Sequence, residues 1–183
     1  MQMKSPTATA YTRTAIILHL LMAVPFVFLL IFGLQTMGGH HDRVWPTIHA
    51  SVGFGLLALV AFRIIWRWRN PPPPLPPKTS KAPRLSAQVS HFTLYAAMVL
   101  LPLSGWLAFT ELVRRTLGVA SASFFGVAKI PILPDFGINF HFIHKWGGNA
   151  ALALIALHVV AALKHHFIDS DDILVRTMRL RKK

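Results

Sequence analysis

Four stretches of this chain are apolar enough to cross a bilayer or nearly so, and nothing else in the sequence constrains its fold as strongly. A spanning helix needs about 20 mostly apolar residues. The runs are "TAIILHLLMAVPFVFLLIFGLQT", "VWPTIHASVGFGLLALVAF", "LSAQVSHFTLYAAMVLLPLSGWLAFT" and "WGGNAALALIALHVVAAL". Once their ends are allowed for, the expected spans are about 14–36, 44–66, 87–111 and 141–164. The expected fold is all-α, a transmembrane four-helix bundle forming a single domain over 1–183. Pro25 and Pro102 fall inside spans, where a kink is tolerated if neighbouring helices satisfy the freed carbonyls.

Composition agrees. Apolar residues make up 54 % of the chain and charged residues only 14 %, against about a quarter charged in a soluble domain; mean hydropathy is +0.50. Cysteine is absent, which excludes disulfides, thiolate-bound iron–sulfur clusters and covalent c-type haem attachment. The start has a basic region followed by an apolar run, like a signal peptide. That run continues to Phe32 with no small-x-small site after it, so it reads as a first span instead.

The basic residues give an orientation. Lys4 and Arg13, then Arg63, Arg67, Arg69, Lys78, Lys81 and Arg84, then Lys164, Arg176, Arg179, Arg181, Lys182 and Lys183 all fall on one side. They are fourteen of the nineteen Lys and Arg. The positive-inside rule therefore places the N- and C-termini in the cytoplasm. Topology accounts for most of the +13 formal charge, so no nucleic-acid partner is expected; lipid is. Between the second and third spans, "NPPPPLPPKTSKAP" reads as an extended polyproline linker. The loop 111–140 is too apolar for full solvation and is expected to lie on the membrane surface or to cap the bundle.

Ten histidines are many for such a chain, and their depths match in pairs. His19 lies about one turn inside the cytoplasmic end of the first span, level with His158 near the same end of the fourth. His49 lies about one turn inside the outer end of the second, level with His144. His144 and His158 are fourteen residues apart, so they point the same way within about 40° and stand roughly 21 Å apart along the axis. One zinc or copper ion cannot use both; two flat cofactors stacked along a bundle can. Ionisable groups within a membrane are costly and face the bundle interior for a function, and bundle sites are built from facing helices. Haem, an apolar ring whose iron takes axial histidines, is the natural occupant. With both axial positions filled no oxygen site remains, so such a cofactor moves electrons. Four residues after each of these histidines stands a small one: Ala23, Gly53, Ala162 and Gly148. Small residues are also common at any transmembrane helix contact.

Other readings have specific weaknesses. A lone intramembrane histidine can simply hydrogen-bond a neighbouring helix. A proton relay would call for intramembrane carboxylates, yet all six acids lie at span ends or in loops. Di-iron Glu-x-x-His motifs are absent. An intramembrane metal-ion transporter stays open as an alternative of another class, with the 21 Å separation counting against a shared site. His141 competes with His144 but points about 100° away from His158. His40 and His41 read as exposed loop residues. His165, seven residues after His158, and His91, at the start of the third span, read either as interfacial histidines or as a site that protonates a quinone.

Taken in order, "ILHLLMA", "TIHASVGFGLLALVAFRIIWR", "SHFTLYAAMVLLPLSGWL", "FFG" with "IPILP", "HKWGGNAALALIALHVVAALKHHF" and "DDILVRTM" resemble the bacterial cytochrome b561 group. The resemblance covers nearly the whole chain. It implies a multi-pass inner-membrane bundle with two haems b, His19 and His158 holding the inner one and His49 and His144 the outer. It also implies electron passage between a periplasmic donor, such as superoxide or a redox protein, and the ubiquinone pool, with His165 near the quinone. That would make the chain a superoxide:ubiquinone oxidoreductase-like protein. Other members of the group are haem-bearing anchor or electron-transfer subunits of larger dehydrogenase or hydrogenase complexes, and this is the alternative the resemblance carries. Arg43, Arg114, Arg115, Lys129 and Lys145 on the outer side would favour an anion such as superoxide, or would pair with haem propionates.

Overall fold

The computed structural model describes residues 11–35, 44–71, 81–117, 121–124 and 128–168. The polyproline segment 72–80, the loop histidines His40 and His41, and both terminal segments lie outside the described residues. Four helices follow one another: α1 (Arg13–Gln35), α2 (Val44–Arg69), α3 (Lys81–Leu117) and α4 (Phe140–Phe167). All four are long and apolar enough to span a membrane. Neighbours pack as α1–α2, α2–α3, α3–α4 and α4–α1, which closes an up-and-down four-helix bundle. Residues 11 and 168 share one end of it, the terminal end.

The helix limits have local causes. Thr12 Oγ1 accepts from the Ala15 amide at 3.2 Å, which opens α1. Asn139 Oδ1 accepts from the Phe142 amide at 2.9 Å, which opens α4. Both are N-cap bonds that satisfy an otherwise orphaned amide. At the close of α2, the Asn70 amide and side chain both donate to the Trp66 carbonyl. Helix α3 has 37 residues, about 55 Å, against a hydrocarbon core of about 30 Å. It therefore extends well past both ends of the expected span.

The core is narrow. Met22, Phe26 and Leu29 of α1, Leu56 and Val60 of α2, Leu101 of α3 and Ala151 of α4 form it. On α1 these recur at i, i+4 and i+7, and on α2 at i and i+4, one helical stripe on each. The buried hydroxyls of Ser104 and Thr110 donate to carbonyls three residues back, those of Leu101 and Leu107. Large apolar side chains such as Val24, Leu100, Leu157 and Val160 stay exposed. In a bundle whose outer solvent is hydrocarbon, that is where they belong.

One element departs from the helical reading. In the segment expected as a surface loop or cap, β1 (Ser121–Phe124) and β2 (Ala128–Pro131) pair antiparallel, Ser121 opposite Pro131 and Phe124 opposite Ala128. This hairpin packs on α2. Trp106 Nε1 donates to the Pro131 carbonyl at 3.2 Å and ties it to α3. The hairpin end thus lies opposite the terminal end. Beyond the hairpin the chain turns at Gly137, whose φ of 68° suits a residue without a Cβ, and enters α4.

Candidate cofactor site

At the hairpin end, His49 of α2 and His144 of α4 face each other with ring centres 5.9 Å apart and planes at 83°. Both line a partly open cavity whose other walls include Gly33, Gly53, Leu56 and Gly148. The lining is apolar apart from the imidazoles, Lys145 and Asn149, the mix of apolar walls and a few convergent polar groups typical of a cofactor site. A Cβ added at Gly53 would meet nothing within 4 Å, so there is open space one turn from His49. Two of the four small residues singled out in the sequence, Gly53 and Gly148, therefore border the cavity.

Helix α3 supplies no candidate ligand at this level, yet it fixes one. His144 Nδ1 lies 3.0 Å from the Leu101 carbonyl and 3.3 Å from Ser104 Oγ. A carbonyl only accepts, so Nδ1 carries the proton in that contact, and Nε2 keeps its lone pair. This is the arrangement in which metal-ligating histidines are held. The ring lies flat enough on α3 that a Cβ at Gly105 would come within 2.8 Å of His144 Cε1. His141, the competing residue, is exposed.

The terminal end gathers three histidines. His91 of α3 and His158 of α4 have ring centres 5.7 Å apart. His19 of α1 is close enough to interact electrostatically with both, and with Arg63 of α2. The sequence reading placed His91 at the membrane surface or in a quinone site; here its ring stands against His158. His165 is half-buried about two turns further along α4, and the neighbouring His166 keeps a buried Nδ1 without a hydrogen-bond partner among the described residues.

A single interval organises both levels. Fourteen residues separate His19 from Gly33 on α1, His49 from Arg63 on α2, His91 from Gly105 on α3, and His144 from His158 on α4. Each pair therefore shares a helix face. At the hairpin end α1 and α3 offer glycine, and α2 and α4 offer imidazole; a Cβ at Gly33 would sit 3.5 Å from His49 Cε1. The sequence reading found this interval on α4 alone. The missed residues, Leu101, Ser104 and Gly105, act through a carbonyl, a hydroxyl and an absent side chain. Only Gly105 had a signal, its spacing from His91.

These residues fit a haem. Among the described residues no three metal-ligating side chains gather into a metal site, whereas a bare zinc ion takes three or four protein ligands. A porphyrin brings four nitrogens of its own and asks for two imidazoles and an apolar slot, which His49, His144 and the cavity offer.

The family model for prokaryotic cytochrome b561 matches residues 10–179. Cytochrome b561 homolog 2 of Escherichia coli K12 is 34 % identical over 145 residues, 77 % of this chain and 73 % of that one. A probable superoxide oxidase, CybB, of Yersinia pestis is 30 % identical over 141 residues, 72 % and 73 % of the two chains. Cytochrome b561 homolog 1 of E. coli K12 is 28 % identical over 179 residues, 94 % and 98 %.

Proposed function

Since this chain belongs to the prokaryotic cytochrome b561 family, multi-pass electron-transfer cytochromes b of the bacterial inner membrane, we propose that it holds two haems b and carries electrons between a periplasmic donor and ubiquinone. His49 and His144 would hold the outer haem, and His19 and His158 the inner one. Both termini would be cytoplasmic, with the hairpin end in the periplasm. The observation that carries this reading is the outer pair: two imidazoles 5.9 Å apart across an apolar cavity, one of them with its Nδ1 proton engaged by a backbone carbonyl.

Haem supplies reversible one-electron chemistry at a potential set by its ligands and surroundings. The rest is done by the chain. Leu101 and Ser104 hold the His144 tautomer. Gly33, Gly53 and Gly148 leave the slot open, and Phe26, Leu29 and Leu56 keep water out of it. Lys145 lines the cavity and puts a positive charge at the periplasmic side, which suits superoxide as donor. Two superoxide ions would give one electron each and leave as oxygen. Ubiquinone would take two electrons and two protons to become ubiquinol, with His165 and His91 as the proton-handling groups at the cytoplasmic side. The similarity to a probable superoxide oxidase supports that donor.

Purified protein should contain two low-spin haems b per chain, and His144→Ala should lower the count to one while sparing the haem held by His19 and His158. A wild-type count of one or none would refute the two-haem reading. Stopped-flow mixing with superoxide should reduce the haems faster than buffer alone, and added ubiquinone should sustain turnover. If haem is present but superoxide leaves it oxidised, the donor is a redox protein instead.

A further inference from the structure

At the terminal end of the bundle, the described residues bring cationic side chains together with no carboxylate among them. Arg63 lies six residues before the end of α2. Its guanidinium is tied across the bundle: Nε donates to Tyr95 Oη of α3 at 3.0 Å, and one terminal nitrogen donates to the Ala15 carbonyl of α1 at 2.8 Å. An arginine stretching towards headgroups would not be held this way. A guanidinium has five N–H donors, so among the described residues these two bonds leave three. Arg67 approaches the same tyrosine, its guanidinium carbon 5.7 Å from the ring centre, with that of Arg63 at 6.0 Å. Three residues on from Arg63, Trp66 keeps a buried Nε1–H with no acceptor among the described residues. The carboxylates among the described residues, Glu111 and Asp135, both belong to the hairpin end.

Position adds the rest. Arg63 is fourteen residues from His49, so α2 turns towards the inner level the same face it turns towards the outer cavity. Ala15, which Arg63 holds, is four residues before His19, about 6 Å along α1. His19 and His91 both feel the Arg63 charge. A cation at membrane depth is expensive unless an anion or a set of acceptors compensates it. Arginine suits a carboxylate best, because its planar fork donates two parallel bonds.

We infer that Arg63, with its guanidinium fixed by Tyr95 and Ala15, is the receptor for a carboxylate of the cofactor bound between His19 and His158, namely a propionate of the inner haem. The inference rests on the two-haem reading above. It makes Arg63 a positioning and charge-compensating residue. It also gives α2 a part in both sites: a ligand in the outer one, a counter-charge in the inner one.

The test uses the purified full chain with its haems, as wild type, Arg63→Gln, Arg63→Lys and Tyr95→Phe. Each is titrated potentiometrically at the haem α-band, and its haem is counted. Removing a positive charge beside a haem disfavours its reduced form. Arg63→Gln should therefore keep two haems and lower the inner haem's reduction equilibrium about tenfold, some 59 mV for one electron, with the outer haem unmoved. Arg63→Lys should restore most of that, and Tyr95→Phe should lose a smaller part. If Arg63→Gln sheds the inner haem, Arg63→Lys retaining it at a shifted potential carries the same conclusion. In redox-difference infrared spectra of protein carrying haem labelled with carbon-13 at its propionates, the labelled carboxylate band should move in Arg63→Gln.

An inner potential indifferent to Arg63→Gln, or a labelled band that stays put, overturns the assignment. So does a shift seen only in nanodiscs containing anionic phospholipid, which would make the anion a headgroup phosphate. The same loss on replacing Asp169, Asp171 and Asp172 by Asn would make it a carboxylate of the chain. Retention of two haems by His19→Ala would instead refute the two-haem reading itself, independently of what Arg63 does.

Discussion

Position 105 shows how much a single side chain can weigh. The ring of His144 occupies the space where any Cβ at this position would go, and the same ring is held by the Leu101 carbonyl one turn back on α3. Gly105→Ala should push the imidazole off that carbonyl at a cost of about 1–3 kcal/mol, the usual penalty of overpacking. Gly105→Val should cost more. The expected reading is a broadened or lost signal from the outer haem with the inner one intact, followed by haem spectra during thermal melting. At this scale the sequence was informative about imidazoles and silent about what orients them. The preference for His144 over His141 followed from helical phase. A backbone carbonyl acting as acceptor leaves no mark in a sequence, and neither Leu101 nor Ser104 could be picked out.

Among the elements, α4 carries one candidate ligand for each site and depends on a polar cap at its hairpin end. Asn139 closes the first turn, and His144 is only five residues away. Asn139→Ala should cost about 1 kcal/mol and fray that turn, so the outer haem should be lost at a lower temperature than the inner one. Separate melting of the two haem signals would measure this; simultaneous loss would mean that the cap does not govern the outer site. All four helices were legible, because runs of about 20 apolar residues have few other uses. The hairpin was not. "SASF" and "AKIP" show no alternation of bulky apolar residues, and strands of four residues rely on tertiary anchors such as Trp106 to Pro131 more than on intrinsic propensity. Apolar content correctly pointed to contact with the bundle or membrane, but could not show how the chain would fold there.

For the whole molecule, the narrow core and the apolar exterior belong together. Lipid gives helices little hydrophobic reason to associate, so the few interior side chains act by close packing and the polar ones by specific bonds. The distribution of Lys and Arg predicts cytoplasmic termini. A green fluorescent protein fused after Lys183 should fluoresce, and alkaline phosphatase at the same position should stay inactive; the opposite result would invert the proposed direction of the electron path. His144 and His158 also stand on one unbroken helix. If each holds a haem iron, as proposed above, the gap between the two irons is gauged by fourteen peptide units of a stiff rod, not by how neighbouring helices settle. Breathing of the bundle can alter which groups close around each imidazole, but the spacing between the two is built into the covalent chain.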